Sequence, residues 1–416
     1  MRRGVIGYPM GHSYSKPIHE QLGGYEFEII ELHPDKFDAF LKAKEFDSVN
    51  VTIPYKQQII PYLDELDDKA KRIGAVNTVV NDSGKLKGYN TDYYGFWWML
   101  DDHQIEIKNK KVVILGNGGA TKALKVVIQD MGAKQLLIVS RTKTDETITY
   151  DELFEKHQDV EVLINATPVG MSPKHDDCPI DLERLEKLES VVDIVYNPLK
   201  TKLILQAEKL GCKTVCGLEM LVAQAKQAVE IFTNKQLSDE DIKKVTFDII
   251  SKKENLVFIG MPSSGKTTIA KILSEQLELP FIDLDEEIVK KAGKSIKQIF
   301  EESGEEIFRD IESECVEDHC MDEGTIISCG GGVIKRNKNI EHLKKKGYLI
   351  WIDRDLAYLK SDDNRPLCKD DETMKRLYSE RYSLYKDAAD IRIENNNTEL
   401  EVLEKIKNHL ESRKIK

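Results

Sequence analysis

Two glycine-rich loops of different composition constrain this 416-residue chain: Gly116-Asn117-Gly118-Gly119-Ala120 and Gly260-Met261-Pro262-Ser263-Ser264-Gly265-Lys266-Thr267. Each follows a run of aliphatic residues, Lys111–Leu115 and Leu256–Ile259, and opens a segment with helical spacing. A strand that turns on glycine into a helix presents unpaired backbone N–H groups at the positive end of the helix dipole, where phosphate binds. The first loop has no lysine and suits a dinucleotide. The second ends in Lys266-Thr267, a cation for terminal phosphates and a hydroxyl for Mg²⁺. The expectation is an α/β chain with two nucleotide sites of different chemistry.

The length exceeds one hydrophobic core. Residues 1–100 alternate short strand patterns (Gly4–Gly7, Tyr25–Glu31, Ser48–Ile53) with amphipathic helices. From Lys110 the units become regular: strand Lys111–Leu115, helix Ala120–Met131, strand Gln135–Val139, then Glu161–Ile164 and Val191–Val195. That is a doubly wound lobe. A helix is expected at Leu218–Phe232. The polar stretch 235–254 holds the best boundary, with a linker at 246–254, and a fresh α/β unit begins at Leu256. Its later strands fall at Phe281–Leu284, Thr325–Ser328, Tyr348–Ile352 and Asp390–Ile393.

Charge excludes one class of partner. The net charge is −12, and acidity is even: residues 1–250 carry 32 basic against 39 acidic side chains, and residues 251–416 carry 29 against 34. No basic stripe is available to neutralise a nucleic-acid backbone, and Lys344-Lys345-Lys346 reads as a solvated helix end. Seven scattered cysteines, an odd number, argue against a disulfide framework or a zinc site. No stretch reaches the ~20 apolar residues of a membrane span, and the N-terminus runs into a strand without a signal-peptide core. A cytoplasmic protein is expected; its oligomeric state is not legible.

The strand after the first loop ends Leu137-Ile138-Val139-Ser140-Arg141-Thr142-Lys143. An acidic residue there would serve the ribose of NAD, whereas Arg141, helped by Ser140, Thr142 and possibly Lys143, points to the 2′-phosphate of NADP. Polar clusters upstream, Gly11–Pro17, Asn50–Lys56, Gly74–Thr78 and Asn90-Thr91-Asp92, hold hydroxyls, amides, one lysine and one aspartate, which suits a small oxygen-rich substrate. Together the phrases GYPMGHSYSKPIH, NVTIPYK, IGAVNT, GYNTDYYG, LGNGGATKA, SRT, INATPVGM, DIVYNPLKT and GLEMLVAQA resemble shikimate dehydrogenase, in that family's order over residues 4–233.

The resemblance implies reduction of 3-dehydroshikimate to shikimate by NADPH. It makes Lys56 the group that polarises the ketone and delivers a proton, with Asp92 orienting it. Ser13 and Ser15 would take the substrate carboxylate, Thr52, Asn77 and Gln224 the ring hydroxyls, and Tyr196 a further substrate contact. Gly116, Asn117, Gly118, Gly119, Ala120, Ser140, Arg141, Thr142 and Gly217 would bind NADP. Ser48 and Ser140 depart from the family's usual glycine and asparagine.

The second loop alone fits a GTPase, a motor ATPase or a small-molecule kinase. Phe281-Ile282-Asp283-Leu284-Asp285 is expected to set two carboxylates on one strand face at the ligand-binding edge. With Gly293-Lys294-Ser295-Ile296, Gly304-Glu305, Phe308-Arg309-Asp310-Ile311-Glu312, Cys329-Gly330-Gly331-Gly332, Arg365-Pro366-Leu367 and Arg381-Tyr382-Ser383-Leu384-Tyr385, the series resembles shikimate kinase over residues 256–393. The resemblance implies ATP on Ser263, Ser264, Gly265, Lys266, Thr267, Thr268 and Arg365, the last in a lid. Mg²⁺ would lie near Thr267 and Asp283, and shikimate on Asp285, Arg309, Gly331, Gly332 and Arg381. Glu312 would steady Arg309, and Lys266 and Asp285 would act in catalysis. Ser263 replaces a family glycine, and Lys360 is the candidate for the second lid cation.

The joint reading is a bifunctional shikimate-pathway enzyme. It has a substrate lobe (1–100, completed by a helix near 218–245), a Rossmann-type NADP lobe (101–217) and a P-loop kinase domain with a parallel sheet (255–416). Small molecules are its partners, without nucleic acid or membrane. Alternatives are a quinate/shikimate dehydrogenase joined to a related small-molecule kinase, or a dehydrogenase with a non-catalytic nucleotide-sensing domain.

Overall fold

The computed structural model describes residues 2–11, 14–359 and 371–413. It divides into two compact units, Met1–Thr246 and Phe247–Lys416.

The first unit holds two sheets. One contains β1 (Arg3–Gly7), β2 (Glu28–Glu31), β3 (Ser48–Val51), β4 (Glu65–Leu66), β5 (Thr78–Asp82) and β6 (Lys85–Tyr89), in the order β2-β1-β3-β5-β6-β4. β1 runs parallel to β2 and β3, whereas β5 is antiparallel to both β3 and β6. The β5–β6 hairpin has no counterpart among the expected strands. It turns through Ser83 and Gly84, both at positive φ (52° and 92°), whose backbone twist matches the flanking strands. The expected strand Tyr25–Glu31 shortens to β2.

The other sheet contains β7 (Lys111–Leu115), β8 (Gln135–Val139), β9 (Val162–Asn165), β10 (Ser190–Asp193) and β11 (Lys213–Cys216), all parallel, ordered β11-β10-β9-β7-β8. β7 is buried along its whole length, as a central strand covered on both faces must be. The chain leaves β7 to one side for β8 and returns on the other for β9. That places a topological switch point, and hence a ligand crevice, at the carboxyl end of β7.

Helix Leu218–Thr233 crosses helix Asp92–Asp102 at close range because residue 95 is glycine. A Cβ there would lie 2.6 Å from the Met220 carbonyl oxygen and 2.9 Å from the Gln224 nitrogen. The crossing carries Gln224 to the residues at the start of the partner helix.

The second unit has β12 (Asn255–Ile259), β13 (Phe281–Asp283), β14 (Ile326–Ser328), β15 (Gly347–Asp353) and β16 (Ile391–Glu394), all parallel, ordered β13-β14-β12-β15-β16. Alternate residues of β12 serve opposite cores: Val257 and Ile259 pack with Ile327, Leu349 and Trp351, whereas Leu256 and Phe258 pack with Ile326, Ile350 and Ile352. A period of two with both faces apolar is the mark of a strand covered by helices on either side.

The segment 246–254, expected as a linker, is helical to Lys253, within Glu240–Lys253, and the division between the two units falls inside that helix. Ile242, Val245, Thr246 and Ile249 are buried at helical spacing beneath a charged exterior that masks them in sequence. Among the described residues no helix is long and apolar enough to cross a membrane.

Candidate functional site

In the first unit an open cleft with about 650 Å³ of atom-free space is lined by Ser15, Asn50, Thr52, Lys56, Asn77, Asp92, Tyr196, Gly217 and Gln224, together with Met220 and Leu221. Thus every substrate residue expected for this half faces one cavity, except Ser13, which lies outside the described residues. Asp92 is the first residue of helix Asp92–Asp102, where the helix dipole favours a carboxylate. Its Oδ2 accepts from Lys56 Nζ at 2.5 Å, and its Oδ1 accepts from Asn77 Nδ2 at 2.9 Å. The side chains of Lys56 and Asp92 are only 19% and 11% exposed, so their attraction is little screened.

A buried polar network backs this pair. Asn77 Oδ1 accepts from the Thr91 nitrogen at 2.8 Å and Thr78 Oγ1 at 3.0 Å, while Thr91 Oγ1 donates to Gln224 Oε1 at 3.2 Å. Each group is thereby fixed in rotamer before a ligand enters. Tyr196 packs on Tyr14 with ring centroids 5.4 Å apart, and burial raises its phenol above the ordinary value. Met220 and Leu221 supply the apolar wall. They were absent from the expected set because their spacing reads equally well as helix core.

The glycine loop lies at the β7 switch point. Gly116 has φ 98°, and a Cβ there would lie 2.9 Å from Thr167 Cγ2. Thr121 Oγ1 donates to the Gly116 carbonyl at 2.9 Å, pinning the turn. Around Gly118 and Gly119 a Cβ would meet nothing within 4 Å. Backbone at the start of helix Gly119–Asp130 is therefore bare toward solvent, which fits a pyrophosphate. Arg141 and Thr142 are exposed at the end of β8. Ser140 is engaged within its own loop, and Lys143 pairs with Glu152 instead of standing free. Gly217 packs with its Cα against the Ile194 carbonyl, where a Cβ would fall 2.1 Å from the oxygen.

In the second unit the phosphate loop runs from β12 into helix Lys266–Leu277. Ser263 has φ 64°, the left-handed conformation that favours glycine, so the serine here carries a strain of roughly 1 kcal/mol. Lys266 is buried, with Nζ 3.4 Å from the Met261 carbonyl. Thr267 Oγ1 lies 2.8 Å from Ser328 Oγ at the end of β14, and Thr268 follows it in the helix. Ser328 is the register partner of Asp283, and a hydroxyl and a carboxylate are the kinds of oxygen donor that Mg²⁺ takes. Asn395, after β16, donates to the Ser264 carbonyl at 2.7 Å and is the nearest neighbour a Cβ on Gly265 would meet. Nothing in the sequence marked Asn395, which lies 131 positions from its partner.

One expectation is corrected. Asp283 and Asp285 do not share a strand face: β13 ends at Asp283, which caps the helix Leu284–Ala292 by accepting from the Asp285 nitrogen at 2.9 Å. Asp–x–Asp spacing followed by Glu286 and Glu287 is an N-cap signature, and capping outweighs one more strand residue.

The triple glycine explains itself through its neighbours. A Cβ on Gly330 would lie 2.7 Å from Asp285 Oδ1 and 3.1 Å from Glu312 Oε1. One on Gly331 would lie 2.6 Å from Pro262, and one on Gly332 2.2 Å from an Arg309 nitrogen. Three side chains and the phosphate loop thus converge on one bare turn. Arg309 Nη1 donates to Glu312 Oε2 at 2.7 Å, and Glu305 also contacts the guanidinium. Burial pushes the Glu312 carboxyl above its ordinary value, opposed by the Arg309 charge. Arg381 donates through Nη1 to the Gly331 carbonyl at 2.7 Å, and Tyr385 adds its hydroxyl to the same oxygen at 2.5 Å. Arg381 Nε and Nη2 are buried and have no hydrogen-bond partner among the described residues. Arg365 and Lys360 lie outside the described residues.

Comparisons with known proteins identify the families that both halves match. Residues 5–79 match the family model of the shikimate dehydrogenase substrate binding domain, and residues 262–411 match that of shikimate kinase. A shikimate dehydrogenase (NADP(+)) from Clostridium beijerinckii is 42% identical over 270 residues, covering 61% of this chain and 97% of that relative. The chorismate mutase/shikimate 5-dehydrogenase fusion protein from Clostridium acetobutylicum superposes with a TM-score of 0.56 at 36% identity, over 59% of this chain and 95% of that one. Shikimate 5-dehydrogenase from Thermus thermophilus, solved with NADP(H) and shikimate, gives a TM-score of 0.54 at 29% identity, over 59% and 98%. The chain belongs to the shikimate dehydrogenase family and carries a shikimate kinase domain behind it, a bifunctional shikimate-pathway enzyme.

Proposed function

We propose that the first unit reduces the 3-ketone of 3-dehydroshikimate and that the second phosphorylates the hydroxyl so formed, with NADPH and ATP-Mg²⁺ as co-substrates. NADPH, when bound along Gly116–Ala120 with its 2′-phosphate near Arg141, supplies the hydride. Lys56 donates a proton to the carbonyl oxygen, and Asp92, 2.5 Å from its Nζ, keeps the ammonium aimed there. Thr52, Asn77 and Gln224 hold the ring hydroxyls, while Ser15, with Ser13, takes the carboxylate.

In the second unit ATP, when bound on residues 263–268, supplies the phosphoryl group. Lys266 holds its terminal phosphates, and Thr267 and Asp283 hold the metal. Arg309 and Arg381 clamp the substrate carboxylate. Gly331 and Gly332, with no side chains of their own, let Pro262 and Arg309 close in on the turn beside the ring, and Asp285 receives the hydroxyl proton. The observation that carries this half is the buried pair of Arg381 nitrogens that have no partner among the described residues. Leaving them bare costs about 1–3 kcal/mol each, a cost that a bidentate carboxylate removes on binding.

The substrate lobe is assigned to residues 1–100 with the helix from Leu218, the NADP lobe to 101–217 and the kinase to 255–416. The partners are small molecules, and both co-substrates are drawn from the cytoplasm, where we place the enzyme. The test incubates the full chain with 3-dehydroshikimate, NADPH and ATP-Mg²⁺ and identifies products by mass. Shikimate 3-phosphate is expected, through shikimate. Accumulation of shikimate without phosphorylation refutes the kinase reading, and a higher kcat/KM for quinate than for shikimate refutes the substrate assignment.

A further inference from the structure

The segment bearing Arg141 is a closed loop built around one hydroxyl. Its stems are laced to the end of β8: the Ser140 nitrogen donates to the Ile148 carbonyl at 3.0 Å, and the Ile148 nitrogen to the Ile138 carbonyl at 2.9 Å. Residues 141–146 are exposed, yet Thr147 is only 4% exposed and fills the loop. Its Oγ1 lies 2.9 Å from the Thr144 nitrogen, 2.9 Å from Thr144 Oγ1, 3.2 Å from the Thr142 carbonyl and 3.2 Å from Ser140 Oγ. A hydroxyl offers one proton and two lone pairs, so this environment saturates it.

The contacts bracket Arg141, since Ser140 precedes it and Thr142 follows. Arg141 makes no ion pair among the described residues, whereas Lys143 is drawn onto Glu152. The loop also abuts the glycine turn, because the Gly116 nitrogen donates to the Val139 carbonyl at 2.7 Å. Arg141, an exposed cation, therefore stands beside the dinucleotide loop, on a backbone that the buried Thr147 hydroxyl ties down together with Ser140 Oγ, which bonds the Thr142 carbonyl.

We propose that Thr147 is a positioning residue for cofactor choice: it holds the Ser140–Thr142 backbone so that Arg141 meets a 2′-phosphate, and preference for NADP over NAD depends on it. This rests on the NADP reading of the first unit. An ion pair formed from a pre-ordered backbone avoids the ordering cost that a loose loop would impose on binding.

The test measures binding of 2′,5′-ADP and 5′-AMP to the full chain by calorimetry, for the unsubstituted protein, Thr147→Val and Thr147→Ser. Thr147→Val should weaken 2′,5′-ADP at least fivefold and leave 5′-AMP within twofold. The NADPH-to-NADH ratio of kcat/KM should fall in step, and Thr147→Ser, which keeps the hydroxyl, should restore both. Unchanged 2′,5′-ADP binding, or equal loss of both ligands, overturns the proposal. If Thr147→Val does not fold, Thr144→Val removes the 2.9 Å contact between the two threonine hydroxyls and should weaken 2′,5′-ADP two- to threefold; no selective change there also overturns it. An unsubstituted chain that binds 2′,5′-ADP no tighter than 5′-AMP refutes the NADP reading itself, and the proposal with it.

Discussion

Gly95→Ala sets two opposing effects against each other at a position that builds the dehydrogenase cleft. In an isolated helix, alanine would be favoured over glycine by about 0.8–1.0 kcal/mol. Here the new methyl would lie 2.6 Å from the Met220 carbonyl oxygen and 2.9 Å from the Gln224 nitrogen and Cβ. Two of those obstacles are backbone, so no rotamer change relieves them, and helix Leu218–Thr233 must shift by roughly half an ångström or more. Such overpacking costs about 1–3 kcal/mol. The difference leaves a net loss of up to about 2 kcal/mol, or up to about 8 °C in the Tm of a unit this size.

The functional effect should exceed the thermal one. Gln224, which accepts from Thr91 at 3.2 Å, and the pocket residues Met220 and Leu221 ride on the displaced helix. An error of that size in substrate position costs up to ~10²-fold in rate. The assay is kcat/KM for shikimate oxidation beside the rate of shikimate phosphorylation in the same preparation, with calorimetric scans of both transitions. A tenfold or greater loss of dehydrogenation with phosphorylation within twofold is expected. Full dehydrogenase activity with an unchanged or raised Tm would show that the helices accommodate a methyl and refute the reasoning.

Other outcomes follow from the same geometry. Lys56→Ala should abolish NADPH oxidation while shikimate phosphorylation stays near normal, and Lys266→Ala should do the reverse; parallel loss in a folded protein would contradict independent chemistries. Arg309→Lys keeps the charge but loses the planar fork, so KM for shikimate should rise by roughly tenfold or more with KM for ATP little changed; equal effects on both would argue against the carboxylate clamp. His103 ends helix Asp92–Asp102, and its hydrogen bond to Glu219, with Nε2 2.5 Å from the carboxylate, raises its pKa above 6.5. A raised folded-state value stabilises fully below the unfolded pKa and is lost as pH rises through the folded one. The Tm advantage over His103→Gln should therefore be largest near about pH 6 and shrink upward from there; a gap that widens with pH would reverse the assignment.

Much of the molecule could be read from local order. β7 and β12 appear as unbroken apolar runs because central parallel strands are covered on both faces, and a glycine loop follows each directly. Elements whose signal is weak or shared are not legible in this way. The β5–β6 hairpin carries too few apolar residues to stand out. Helix Glu240–Lys253 hides Ile242, Val245 and Ile249 among charges. Asp283 and Asp285 fit a strand face as well as a cap, and only the observed bond from the Asp285 nitrogen decides between them.

The sequence alone determined the two α/β units and the two glycine-rich loops, because loop motifs and hydrophobic period act over a few residues. Tertiary structure decided which side chains meet. Asn77 reaches Asp92, Gln224 reaches Thr91 across 133 positions, and Asn395 reaches Ser264 across 131. It also decided why the turn at Gly330–Gly332 admits no side chain and why Lys143 is spent on Glu152 while Arg141 stands clear. Such pairings depend on sheet order and helix crossing. Those are set by how whole faces pack, a property no short stretch of chain carries.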